Sequence, residues 1–385
     1  MVNNDHQVEV ITANPYYPEW KIHSTYNNNF WYSEYLQGVK VFRAPLYVPQ
    51  KVTSFKRIMH EVSFILGSMP YWLRAVFQKR HDVVLCIVPA FHLGLVALLY
   101  AKLRRVPLIY HIQDLQVDAA RDLGMIRNRR VLSILFKAER LILKSANLIS
   151  TISEGMLQKI QVKGIDEKKC ILFPNWVDLK HIRPLSKKES LREEFGLKET
   201  DKVILYSGNL GEKQGLELII ETANAFLDYN DLYFLIIGSG GAKKSLIERV
   251  TKSGLKNVKV FPLQPYEKLS AMLATADLHL VLQRKAASDL VMPSKLTSIL
   301  AAGGCSIVTA LSSTSLYKIV KENKLGITIE PESIDALRQG IKTALNSDLD
   351  SYKKNARQYA EQYLCKEVIL KRFENEMKVL KSNAY

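Results

Sequence analysis

Hydrophobic positions along the chain fall into a repeating pattern. Short β-branched runs alternate with longer stretches whose apolar residues recur at helical spacing, the signature of parallel sheets wrapped by helices. The first half predicts strands at Val8–Thr12, Val39–Arg43, Val83–Val88, Leu108–His111 and Leu148–Ile152. The second half predicts them at Val203–Ser207, Leu232–Ile237, Val258–Pro262, Leu278–Leu282 and Ser306–Thr309. Ser153-Glu-Gly-Met and Gly215-Leu-Glu-Leu-Ile-Ile open helices, and a last helical pattern runs from about Ser351 to Leu380. Between the halves, Phe173-Pro-Asn-Trp-Val-Asp178 and Pro184 carry the turn chemistry of a hinge. The expectation is an α/β protein of two Rossmann-like doubly wound domains, 1–175 and 176–364, facing a cleft. A closing helix, about 365–385, packs back on the first domain.

Length agrees, since 385 residues exceed one ordinary core. With 47% hydrophobic and 24% charged residues, the composition excludes disordered, collagen-like and polytopic membrane classes. Val83–Ala101 is uncharged, but Pro89 and His92 interrupt it, so it reads as strand, loop and packed helix rather than a membrane span. No secretory signal follows Met1. Cys86, Cys170, Cys305 and Cys365 are far apart and read as free thiols of a reducing compartment.

A net charge of +16 favours polyanions: nucleic acid, anionic lipid or phosphorylated small molecules. Basic residues interleave with acidic ones and accompany no nucleic-acid-binding motif, which argues against nucleic acid. Residues Phe55–His81 mix Lys56, Arg57, Arg74, Lys79 and Arg80 with Ile58, Phe64, Leu66, Trp72 and Phe77. That pattern suits a helix or helix pair lying on an anionic bilayer; it equally suits a domain-packing helix with a solvated basic side.

Three segments suggest chemistry. Tyr206-Ser-Gly-Asn-Leu-Gly-Glu-Lys-Gln-Gly215 joins a strand to a helix; Gly208 and Gly211 admit a ligand close to the backbone, and Lys213 adds charge beside free helix N–H groups. A diphosphate fits, and so does a plain strand-to-helix turn. Asp289-Leu-Val-Met-Pro-Ser-Lys295 precedes an apolar helix ending at Gly303-Gly304, so Pro293 places Ser294 and Lys295 in the first turn. A capped core helix is the alternative. His111-Ile-Gln-Asp114 ends a strand, where ligands collect in open α/β sheets; His111 then orients a reacting group with Asp114 fixing its tautomer, or is a satisfied structural residue. His and acidic residues show no metal-ligand spacing.

Read with Asn14-Pro-Tyr-Tyr-Pro-Glu-Trp20, Asp118-Ala-Ala120, Ser150-Thr-Ile-Ser-Glu154 and the Phe173 segment, these motifs resemble retaining glycosyltransferases of family 4, which have the GT-B fold. The likeness is to a bacterial polysaccharide branch that includes colanic-acid-type fucosyltransferases and O-antigen N-acetylfucosaminyltransferases. It covers nearly the whole chain. The resemblance implies transfer of a sugar, of fucose or N-acetylfucosamine type, from a GDP- or UDP-linked donor to a lipid-linked saccharide acceptor, with retention and without metal or other cofactor. Such an enzyme would serve exopolysaccharide, capsule or O-antigen assembly from the cytoplasmic side, peripheral on an anionic membrane.

Residue by residue, it implies donor contacts from Gly208, Asn209, Lys213, Gly238, Gly240, Gln264, Met292, Ser294, Lys295 and Ser298. Acceptor-side residues are Tyr16, Tyr17, Trp20 and Asp114, with His111 and Asp289 catalytic. Family members commonly carry two glutamates before Ala-Ala-Gly; here Leu290 and Ser298 stand there, with Asp289 as replacement carboxylate. Relatives also begin one strand, glycine loop and helix earlier, about 30 residues for such a unit. The expectation is either a start upstream of Met1 or a catalytically impaired paralogue that binds a membrane or a partner. Oligomeric state is left open.

Overall fold

The computed structural model describes residues 2–17, 20–26, 30–51, 53–88, 91–122, 126, 128–211, 214–285 and 293–383. The chain divides into two compact units. Unit 1 takes the residues up to Thr151, Leu157–Leu172 and those from Arg372 onward; unit 2 takes Ile152–Met156 and Phe173–Lys371.

Unit 1 begins with β1 (Glu9–Ala13), β2 (Tyr32–Leu36), β3 (Val39–Ala44) and α1 (Ser54–Phe77). It continues through β4 (Val84–Val88), α2 (Leu93–Arg104), β5 (Leu108–Ile112), α3 (Gln116–Asp122), α4 (Arg129–Ser145), β6 (Leu148–Thr151), α5 (Glu154–Val162) and β7 (Cys170–Leu172). Strands β4-β5-β6-β7 form a parallel sheet in chain order, and every residue of β5 is buried, as a central parallel strand requires. A separate sheet has order β1-β3-β2, with β1 parallel and β2 antiparallel to β3.

The pattern reading missed β2. It is polar and half-exposed, and it is placed by a two-residue hairpin in which Gln37 (φ 50°) and Gly38 (φ 81°) both take left-handed backbone. Strand β7 was missed too, being three residues long. Among the described residues β1 pairs only with β3 and β4 only with β5; His81 Nε2 lies 3.3 Å from Glu9 Oε2 and ties the starts of these two strands together. The Phe55–His81 segment forms one helix as far as Phe77, α1, continuous through Pro70 and capped by Thr53, whose side chain accepts from Lys56 N–H; Lys79 and Arg80 lie beyond its end.

Unit 2 holds β8 (Lys202–Asn209), α6 (Glu217–Asn224), β9 (Leu232–Ser239), α7 (Lys243–Lys252), β10 (Val258–Phe261), α8 (Leu269–Ala274), β11 (Leu278–Val281), α9 (Ser294–Ala301), β12 (Ser306–Thr309), α10 (Ser315–Glu322) and β13 (Gly326–Ile329). Helices α11 (Ile334–Leu345), α12 (Leu349–Tyr363) and α13 (Lys366–Asn383) follow. The sheet is parallel, in the order β10-β9-β8-β11-β12-β13. Its central strands are buried on both faces, while the edge strands β10 and β13 are mostly half-buried. Val203, Leu205, Leu235 and Val281 enter one core, and Ile204, Tyr206, Phe234 and Leu280 enter the other.

The helical pattern read from Ser351 to Leu380 is two helices, α12 and α13. Val177 N–H donates to Leu364 O and Lys366 N–H to Val177 O, a bridge that interrupts the helical ladder at Leu364-Cys365. Past Arg372, α13 belongs to unit 1, where Glu374 accepts from Asn4 and meets His6. Among the described residues no helix is long and apolar enough to cross a membrane, and no cluster of His, Cys, Asp or Glu is arranged to hold a metal.

Candidate functional site

The strand order of unit 2 locates its ligand crevice. From β8 the chain walks outward to β10, then returns beside β8 at β11 and walks the other way. At such a reversal the loops after β8 and β11 diverge and leave an opening at their carboxyl ends. The Gly208–Gly215 segment leaves β8, and α9 follows β11, so chain order brings the glycine segment and the start of α9 to one place.

Backbone proximity explains the glycines. Gly208 pairs with Gly238 across β8 and β9, and a Cβ on Gly238 would sit 1.9 Å from Gly208 O. A Cβ on Gly240 would lie 2.5 Å from Leu210 O and 2.6 Å from Asn209 Oδ1. Asn209 therefore sets its amide between Gly240 and Gly211, whose Cβ would meet Asn209 Nδ2 at 3.3 Å. The strand ends are kept bare of side chains where a ligand would approach.

Lys295 projects into this opening. A Cβ on Gly208 (φ 130°) would be 3.4 Å from Lys295 Nζ. Nζ lies 3.7 Å from the centre of the Tyr206 ring, which is fully buried and fixed by its hydroxyl donating to Asn209 O at 2.8 Å. Nζ is out of water and has no hydrogen-bond acceptor among the described residues. Burial pulls the ammonium pKa down to about 7. A ring face offsets only part of that desolvation, on the order of 2 kcal/mol. Gln214 Oε1, next to Gly211, is a second buried polar atom with no hydrogen-bond partner among the described residues.

Helix α9 adds backbone dipoles. It starts at Ser294 behind Pro293, and no side chain among the described residues caps its first turn. Those N–H groups remain available to an anion. Ser298 is one turn on, on the Ser294–Lys295 side of the helix, and half-buried. Arg284, just after β11, bonds Glu217 at the start of α6 and Glu332 (3.1 Å), bracing the loops on either side of the opening.

Gly208, Asn209, Gly238, Gly240, Ser294, Lys295 and Ser298 thus gather at the ends of β8, β9 and α9. Gln264 is farther along the sheet: it follows β10, the edge strand, and donates to Pro262 O. Lys213, Asp289 and Met292 lie outside the described residues. Tyr206 and Gln214 acquire their roles only here; the one hint was that both flank the glycine segment.

In unit 1, His111 is 3% exposed at the end of β5. Its Nδ1 is 3.0 Å from Ser150 Oγ on β6, and its Nε2 is 3.4 Å from Gln113 Nε2. An amide N–H can only donate, so Nε2 accepts and the ring proton sits on Nδ1, toward Ser150. Burial lowers the His111 pKa to about 4, keeping the imidazole neutral at physiological pH. Tyr16 and Trp20 pack with His60 of α1, ring centres 4.6 and 5.3 Å away, while Tyr17 points to solvent. Asp114 is half-buried in the turn after β5.

Comparison with known proteins bears on the family and the fold. Residues 1–176 match the family described as glycosyl transferase 4-like domain, and residues 187–363 match glycosyl transferases group 1. The chain is 38% identical over 380 residues to the putative colanic acid biosynthesis glycosyl transferase WcaI of Escherichia coli, spanning 97% of this chain and 92% of that one. It is 26% identical to a Campylobacter jejuni enzyme named N-acetylgalactosamine-N,N'-diacetylbacillosaminyl-diphospho-undecaprenol 4-alpha-N-acetylgalactosaminyltransferase, across 61% of this chain and 60% of that one. Among solved structures, Anabaena Alr3699/HepE in complex with UDP and glucose superposes with a TM-score of 0.71 at 14% identity, covering 97% of this chain and all of that one.

Proposed function

Because the chain belongs to the family 4 glycosyltransferases of GT-B fold and is such an enzyme, we propose that unit 2 holds a nucleotide diphosphate sugar and unit 1 a lipid-linked saccharide acceptor. One observation carries the donor assignment: a buried lysine with no hydrogen-bond acceptor among the described residues, resting on Tyr206 next to bare strand ends at the switch point. A diphosphate supplies the missing negative charge. The names of the WcaI, HepE and Campylobacter proteins support polysaccharide assembly, a UDP-type donor and an undecaprenyl-linked acceptor.

Breaking the bond between the anomeric carbon and the diphosphate places negative charge on the leaving oxygen. Lys295 and the first-turn N–H groups of α9 are already oriented toward such charge, so little reorganisation accompanies the step. Binding the diphosphate restores the lysine's proton, since an adjacent anion favours the charged form. A leaving phosphate oxygen on the face the acceptor hydroxyl enters takes that hydroxyl's proton, giving retention without a protein nucleophile and without a metal ion. Ser298 is suited to a donor hydroxyl, and Lys213 adds a second cation. In unit 1 a sugar hydroxyl displacing the long Gln113 contact would find Nε2 of the neutral His111 as its acceptor.

In this reading the enzyme works at the cytoplasmic face of the membrane, with a fucose-type sugar the leading donor class. The test is calorimetric titration of the purified protein with a panel of GDP- and UDP-sugars, followed by product analysis with a polyprenyl diphosphate saccharide. Saturable binding of at least one donor, with the anomeric configuration kept in the product, is the expected result. Absence of binding across the whole panel overturns the proposal.

A further inference from the structure

We infer that the layer formed by α1, α2 and α4 is a docking face for an anionic lipid bilayer. It is the surface a lipid-linked acceptor demands and so extends the preceding reading, yet the observations behind it lie wholly in unit 1. The inner side of α1 is fixed first. Tyr71 Oη donates to Tyr32 O and Arg43 O, Trp31 Nε1 donates to Gly67 O, and Gly67 approaches the sheet so closely that a Cβ would sit 2.3 Å from Pro45 O. With that side committed, the opposite one must face outward.

The outward side is apolar from end to end. Phe55, Ile58, Val62, Leu66, Leu73 and Phe77 are exposed at spacings of three, four or seven, with Leu66 at 66% and Phe77 at 86%. Over 24 residues such a stripe runs about 36 Å. Helix α2 touches both α1 and α4 and adds Leu95, Leu99 and Leu103, each one turn from the last. Contiguous apolar surface on this scale is uncommon on a water-exposed protein and marks an interaction face.

Charge selects the occupant. The three helices hold ten Lys and Arg against two Glu. Both glutamates are engaged by neighbouring side chains: Glu61 accepts from Gln116 and lies beside Arg57 and His92, and Glu139 is buried against Lys163. Arg130, Lys137, Arg140 and Lys144 stand exposed on α4. A second copy of this chain would bring the same positive charge to the interface, whereas anionic headgroups neutralise it and acyl chains accept the leucine and phenylalanine stripe.

The experiment is flotation of the full chain, without substrates, on phosphatidylcholine vesicles with and without phosphatidylglycerol. Omitting donor and acceptor lets the bilayer claim fail independently of glycosyl transfer. Binding to the anionic vesicles is expected, weakened by salt and reduced roughly tenfold or more by Leu66→Glu/Phe77→Glu. Lys137→Gln/Arg140→Gln, remote from α1, should weaken the anionic binding and its salt dependence if the α1 variant fails to fold. Equal binding of wild type and variants, binding to neutral vesicles as tight as to anionic ones, or a dimer in sedimentation that the α1 substitutions abolish would each overturn the inference.

Discussion

Replacing Lys295 by methionine should make the empty protein more stable and the donor-binding protein worse. In the unfolded chain the ammonium titrates at its ordinary value of 10.5; in the fold burial brings it to about 7. Native protein therefore binds fewer protons than unfolded protein between those values, so stability rises with pH across that window. Below pH 7 the full penalty is present, about 4–5 kcal/mol at 1.36 kcal/mol per unit; by pH 9 it has fallen to about 2. Methionine keeps the packing on Tyr206 and removes the charge. Urea unfolding should show Lys295→Met stabilised over wild type by about 2–3 kcal/mol more at pH 6 than at pH 9. Losing a charge-assisted contact to the diphosphate should meanwhile weaken donor binding about 10- to 100-fold by calorimetry. A variant destabilised equally at both pH values, or one that binds nucleotide sugar unchanged, would refute the claim that this lysine is an unpaired cation awaiting an anion.

Gly238→Ala should lower stability by about 1–3 kcal/mol and weaken donor binding, because the new methyl collides with Gly208 O and must part β8 from β9; denaturant midpoints and nucleotide titration check it. His111 is kept neutral, with its pKa near 4, so the native state binds fewer protons than the unfolded state between pH 4 and 6.5. Stability should therefore fall as pH drops through that range, by up to about 3 kcal/mol, and His111→Asn should flatten the profile measured by thermal melts. Lys163 joins Asp118 and Glu139 at 2.5 Å each, so Lys163→Met takes the cation from buried Glu139 and leaves Asp118 only the longer Arg121 contact; it should cost about 3–5 kcal/mol by chemical unfolding, with Lys163→Met/Glu139→Leu recovering part of it. Arg284→Gln releases Glu217 and Glu332 from the loops beside the donor opening; donor affinity should drop while the melting temperature moves by only a few degrees.

The strands expected from apolar runs mostly appear within a residue or two, because a buried parallel strand needs a continuous hydrophobic stretch and little else. Strand β2 escaped notice since half-exposed antiparallel strands carry weak patterns, and the signal that mattered was the Gln37-Gly38 turn. The break between α12 and α13 escaped for another reason: it is imposed by Val177, nearly 190 residues earlier in the chain. The glycine segment after β8 and the Pro293-Ser-Lys295 start of α9 were legible as motifs. Their shared location was not, since it follows from β11 returning beside β8.

Local chemistry, then, was written in the sequence: helical and strand periodicity, the glycines that let backbones approach, the proline that starts α9, and a cation in its first turn. Each depends on a residue and its near neighbours. Tertiary structure alone decided that Lys295 lies on Tyr206 with no acceptor among the described residues, that Ser150 and Gln113 meet the two ring nitrogens of His111, and that one side of α1 is buried while the other stays apolar in water. Desolvation and hydrogen-bond partnership are set by whatever distant segments pack around a group, and no stretch of sequence contains its own surroundings.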